Sequence, residues 1–137
     1  MSQAVEWAID ADEQAILFTI LADLETLAEL PDDALATGSR YRSTLLRVGL
    51  PFASAEWSHG PLAPRRRMAF SRAARRLESR GLVRRVTEKN RDRAVALVPT
   101  PDGLARALEL AGDRADCGAV REGLRRTHWG TALANAI

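Results

Sequence analysis

The sequence predicts a mainly α fold of the α+β kind, in which one basic helix is followed at once by a two-stranded hairpin and framed by N- and C-terminal helices. Three observations predict it. Apolar residues recur at helical spacing after Asp10 and again after Pro64. Two short β-prone runs, 82–86 and 94–98, follow the second of these segments across a polar stretch. Basic residues crowd into the middle of the chain, between an acidic start and a balanced end.

Asp10 with Glu13 three residues later offers a capping carboxylate and its reciprocal partner, and Leu17, Ile20, Leu21, Leu24, Leu27 and Ala28 follow on one helical face. This predicts a helix over about 12–30, ended by Pro31, which disfavours helical backbone at Leu30. Its outer face is acidic, so it belongs in the core on the side away from any polyanion. Ser39 predicts the cap of a short helix carrying Tyr41, Leu45, Leu46 and Val48. A second short helix is expected to begin with Pro51 at its first position and to run through Phe52 to Trp57, before a turn over 58–61. Either could precede the basic helix in space; adjacency in sequence favours the second.

Pro64 suits the first turn of the basic helix, which is expected to run to about Arg80 and stop at Gly81. On a wheel of about 100° per residue, Phe70, Ala73, Ala74 and Leu77 fall in one narrow sector that faces the core. The opposite sector collects Arg65, Met68, Arg72, Arg75, Arg76 and Ser79, with Ser71 on the flank. Arg66 and Arg67 project toward the packed side on the wheel and are read as edge or first-turn residues within reach of the DNA backbone. The runs 82–86 and 94–98 predict a hairpin with 87–93 at its tip. A last helix is expected near Asp102, carrying Leu104, Ala107, Leu108 and Ala111, and Val120 and Leu124 suggest another turn or two beyond Gly112.

At 137 residues the chain is expected to be a single domain, 1–137, large enough to bury a core without metals or disulfides. Cys117 is the single cysteine, so no internal disulfide can form and a reducing cytoplasm is the expected location. Acids rather than a basic region and an apolar stretch occupy 1–12, which argues against a signal peptide. The longest apolar stretch, 15–22, is far short of the roughly 20 residues of a membrane helix.

The 20 bases and 18 acids leave a net charge of only +2, but their distribution is uneven. Residues 1–33 hold nine acids and no base; residues 34–98 hold fourteen Arg and Lys89 against four acids; the remainder is neutral. Such asymmetry is expected when one face meets a polyanion. A helix fits the major groove of DNA, where Arg can bond guanine O6 and N7 together while other Arg and Ser side chains hold phosphates. Arg72, Arg75 and Arg76 are the candidates for base edges or adjacent phosphates, and Arg65, Ser71 and Ser79 complete the candidate face.

The run from Phe70 to Val83 (Phe-Ser-Arg-Ala-Ala-Arg-Arg-Leu-Glu-Ser-Arg-Gly-Leu-Val), then a charged hairpin, then Thr100-Pro-Asp-Gly103, resembles the recognition helix, wing and following helix of MarR-like winged helix-turn-helix regulators. The resemblance covers about 64–110 and leaves 111–137 as a C-terminal extension. It implies a winged helix with a two-stranded wing. It also implies DNA contacts by Ser71 and Arg72, and entry of the wing residue Arg93 into the minor groove. Lys89 and Arg91 are further wing candidates. Arg91 stands where the family usually has an Asp that orients the wing arginine, and Pro99 replaces a usual Leu. Residues 1–60 do not match, so the family's dimer interface and ligand pocket are not carried over.

His59 and His128 lie far apart with no Cys, His or carboxylate at ligand spacing, so no metal is expected. Cys117 has no resolving cysteine, and Asp113 and Asp116 nearby disfavour a thiolate. Trp7, Trp57 and Trp129 do not alternate with the basic cluster and are read as packing residues. There is no phosphate loop, nucleophile motif or acid/base pair, hence no catalytic residue and no cofactor. The expectation is a sequence-preferring duplex-DNA-binding regulator, a homodimer that makes no membrane contact. The alternative is a winged-helix adaptor that binds protein, or DNA without sequence preference, in replication or segregation.

Overall fold

The computed structural model describes residues 8–35, 39–52, 64–87 and 94–137. The chain is mainly helical, with one small antiparallel sheet. Among the described residues no helix is long and apolar enough to cross a membrane.

Helix α1 (Ala11–Glu29) begins with the expected capping box: the Asp10 carboxylate accepts from the Glu13 N–H at 2.8 Å, and the Glu13 carboxylate accepts from the Asp10 N–H at 3.0 Å. It ends at Leu30, whose backbone is extended ahead of Pro31. A single turn, α2 (Asp32–Leu35), follows, and then α3 (Arg40–Arg47), capped by Ser39 as expected.

A second short helix does not begin at Pro51. Leu50 and Pro51 form strand β1, paired with Leu97 and Ala96, and the Phe52 N–H donates to the Val95 carbonyl at 2.9 Å. Proline is tolerated here because β1 is an edge strand. Residues 53–63 lie outside the described residues, as do Trp57, His59 and the expected turn.

Helix α4 (Pro64–Ser79) leads into strands β2 (Val83–Thr87) and β3 (Ala94–Pro99). The sheet order is β1-β3-β2, so the expected pair of strands gains a third. Lying in the middle, β3 is paired on both edges, and Ala94, Ala96, Leu97 and Val98 are all buried. The hairpin tip, 88–93, lies outside the described residues. Between α4 and β2 the chain turns through Gly81, at φ 77°, where the Gly81 N–H donates to Glu78 and the Leu82 N–H to Leu77, both at 2.9 Å. This pair of bonds satisfies the last carbonyls of α4 and needs left-handed backbone that glycine adopts without strain. The Thr100 hydroxyl then donates to the Gly81 carbonyl and accepts from the Gly103 N–H, joining the end of α4 to the start of α5 (Pro101–Ala111).

The segment after Gly112 is built into the core. A 3₁₀ turn (Gly112–Arg114) precedes α6 (Cys117–Arg125), which buries Val120 and Leu124 against α1. A Cβ on Gly123 would sit 2.0 Å from the Leu24 carbonyl, so only glycine permits this approach of the two helices. Arg126 donates to the carbonyls of Leu27 and Leu30 at the end of α1. Ahead of the short α7 (Thr131–Ala134), the His128 N–H donates to the Leu46 carbonyl at 2.8 Å and the Trp129 indole N–H to the Leu45 carbonyl at 2.6 Å. Carbonyls in the last turn of a helix have no partner within it, so this tail completes both α1 and α3. Trp129→Phe should therefore lower stability by about 1 kcal/mol by stranding the Leu45 carbonyl. The urea midpoint reads this effect; an unchanged midpoint would show that water replaces the indole without cost.

The core sector of α4 is as the spacing predicts, with Phe70, Ala73, Ala74 and Leu77 all buried. They meet Ile16, Leu17, Ile20, Leu21, Leu24 and Leu27 of α1 and Leu104 and Ala107 of α5 in one cluster.

Candidate nucleic-acid interface

With its apolar sector held under α1, α4 turns the opposite sector to solvent. Arg65, Met68, Ser71, Arg72, Arg75 and Ser79 are all exposed there. Arg65, Met68, Arg72, Arg75 and Ser79 advance by three or four residues at a time, so they form one stripe along the helix. Arg65 and Arg72 have no hydrogen-bond or ion-pair partner among the described residues. The Ser79 hydroxyl donates to the Arg76 carbonyl at 3.1 Å, which leaves its lone pairs toward solvent.

Arg76, expected on the same face, is engaged elsewhere. Its Nη2 lies 2.7 Å from the Asp10 carboxylate and its Nε 3.4 Å from that of Glu13, with the side chain 40% exposed. Arg80, one turn on, places Nη1 3.1 Å from the same Glu13 carboxylate, which is 1% exposed. Arg66 is held by Asp12 at 3.1 Å and lies over the Phe70 ring, 4.7 Å from its centroid. The start of α1 thus matches one flank of α4 charge for charge. These acids were expected on a solvated face; instead Asp10, Asp12 and Glu13 face the basic helix and neutralise Arg66, Arg76 and Arg80. A signal was present in the spacing, since Asp10 and Glu13 share one side of a helical turn, as do Arg76 and Arg80.

Slight desolvation raises the pKa of Asp10, which is exposed, but the hydrogen bond from the Glu13 N–H, then the charge and hydrogen bond of Arg76, more than offset this and hold its carboxyl below the ordinary value. Such a group contributes stability that is complete above the ordinary value of 3.8 and fades as pH falls through the lowered one. The Asp10–Arg76 pair is therefore intact at neutral pH.

On the hairpin, the Arg85 N–H donates to the Glu78 carboxylate at 2.9 Å and its guanidinium approaches it at 3.5 Å, fixing β2 against α4. Arg84 is exposed and alternates to the face of the sheet opposite that of Arg85. Lys89, Arg91 and Arg93 lie outside the described residues.

The arrangement suits the binding of an anionic surface: guanidinium groups on a straight rod, spaced along one line, with competing charge on one flank already paired. Among the described residues no group of three or more His, Cys, Asp or Glu is gathered as a metal site would require. Cys117 is exposed at the start of α6, remote in sequence from α4. No model of a known protein family, no curated protein and no solved structure matches the chain.

Proposed function

We propose that this chain is a winged-helix protein that binds double-stranded DNA by laying the exposed stripe of α4 in the major groove, and that it acts in the cytoplasm as a transcriptional regulator rather than as an enzyme. The observation that carries the reading is the row of exposed Arg65, Arg72 and Arg75 on the helix directly preceding the β2–β3 hairpin. An α-helix is of the width the major groove admits, and arginine is the side chain best matched to guanine there. The hairpin that follows is read as the wing, and Lys89, Arg91 and Arg93, which fall between β2 and β3 in the sequence, are its candidate DNA contacts.

One helix spans few base pairs. Two copies related by a twofold axis would read half-sites about one turn of DNA apart, so the reading includes a homodimer. The acidic clasp has a consequence for specificity: with Arg76 and Arg80 neutralised by Asp10 and Glu13, the cationic contribution of α4 is concentrated on the outward stripe.

Two measurements test the reading. Affinity for duplex DNA should fall steeply with salt, with a log-log slope of about −5 if six phosphates are engaged. On a site enriched from a random duplex pool, Arg72→Ala should cost about 1 to 3 kcal/mol and relax preference at particular bases. Arg76→Ala should act mainly on stability, because its side chain is tied to α1. No binding to any duplex at low salt would end the proposal. Equal losses for Arg72→Ala on enriched and scrambled DNA would leave a protein that holds phosphates without reading bases.

A further inference from the structure

Among the described residues Met68 is the one large hydrophobic side chain that is exposed, at 61% of its surface. It stands in the second turn of α4, within the arginine stripe, three residues after Arg65, four before Arg72 and seven before Arg75. Those positions are its neighbours on the helix surface. A thioether cannot bond a phosphate, so Met68 adds nothing to backbone holding and interrupts a row otherwise made of Arg and Ser. In the major groove one group is apolar, the C5-methyl of thymine. Methionine is unbranched, with rotatable bonds and a polarisable sulfur that adapt its tip to such a surface.

Resting on the reading of α4 as a recognition helix, we propose that Met68 is a specificity-determining residue that packs on a thymine methyl in the major groove, beside the base contacted by Arg72. The early turns of a recognition helix are those that reach base edges, which is where Met68 stands. The side chain lies outside the core cluster, so replacing it leaves the fold intact.

The test replaces thymidine by deoxyuridine, one position at a time, in the duplex enriched by the wild-type protein. This removes the methyl and keeps every hydrogen bond of the base pair. Wild type should bind about four-fold more weakly when the contacted methyl is removed, the worth of one buried methylene-sized group. Met68→Ala should bind the thymidine and deoxyuridine duplexes alike at that position, and Met68→Leu should keep the discrimination. Insensitivity of wild type at every position, or equal sensitivity of Met68→Ala and wild type, would overturn the assignment while leaving DNA binding in place. Failure of wild type to bind any duplex at low salt would remove the DNA reading itself, and Met68 with it.

Discussion

Leu77→Asp should abolish cooperative folding. Leu77 has no exposed surface and sits on α4 where that helix meets the apolar side of α1. An aspartate there would be an unpaired charge out of reach of water. The basic groups of α4 offer no spare partner, because Arg76 and Arg80 are already engaged by Asp10 and Glu13. The substitution also removes a buried leucine, and the two losses together reach several kcal/mol, comparable with the roughly 5–15 kcal/mol that holds a domain of this size together. Circular dichroism at 222 nm on heating should show no sharp transition for Leu77→Asp, while Ser71→Ala, on the exposed flank, should melt like wild type. A melting temperature for Leu77→Asp within a few degrees of wild type would mean that the packed face of α4 is assigned the wrong way round.

Glu13→Ala should be the most damaging change among the charged residues, at about 2 to 4 kcal/mol, since it removes a buried carboxylate shared by two arginines and half of a capping box. Glu13 accepts from the Asp10 N–H and from Arg80 and forms an ion pair with Arg76, and all three lose that carboxylate at once. The cost lies toward the lower part of the range for buried pairs because Arg80, at 23% exposed, can turn to water. Urea unfolding of Glu13→Ala, Arg80→Ala and the double variant would measure this as a cycle: the double should cost less than the two singles combined, because each single strands the other group. Simple additivity would show that the carboxylate and guanidinium do not act on one another. Glu13→Ala should also release positive charge on the flank of α4, so its affinity for scrambled duplex at low salt should rise even as its stability falls.

Much of the helical framework was legible from residues a few places apart. Asp10 with Glu13 announced the start of α1, Pro31 its end, Ser39 the start of α3, and Gly81 the stop of α4. The four buried side chains of α4 follow from spacing alone, because a helix repeats every 3.6 residues whatever surrounds it. The outward row of Arg65, Met68, Arg72, Arg75 and Ser79 was legible for the same reason, whereas Arg66 and Arg67, which the wheel turns toward the packed side, are exposed.

What only the tertiary structure decided depends on groups far apart in the chain. β1 forms at Leu50 and Pro51 because β3 lies alongside; two residues carry no strand signal of their own, and a proline before Phe52 looks locally like the first position of a helix. The tail after Gly112 has weak apolar spacing, yet it completes the ends of α1 and α3 through Arg126, His128 and Trp129. Arg76 shows the difference within a single helix. Periodicity places it on the outward half of α4, but its partners Asp10 and Glu13 lie 66 and 63 residues earlier and reach it only because α1 crosses there. Local spacing determined which way each side chain leaves its helix; packing determined which charges meet.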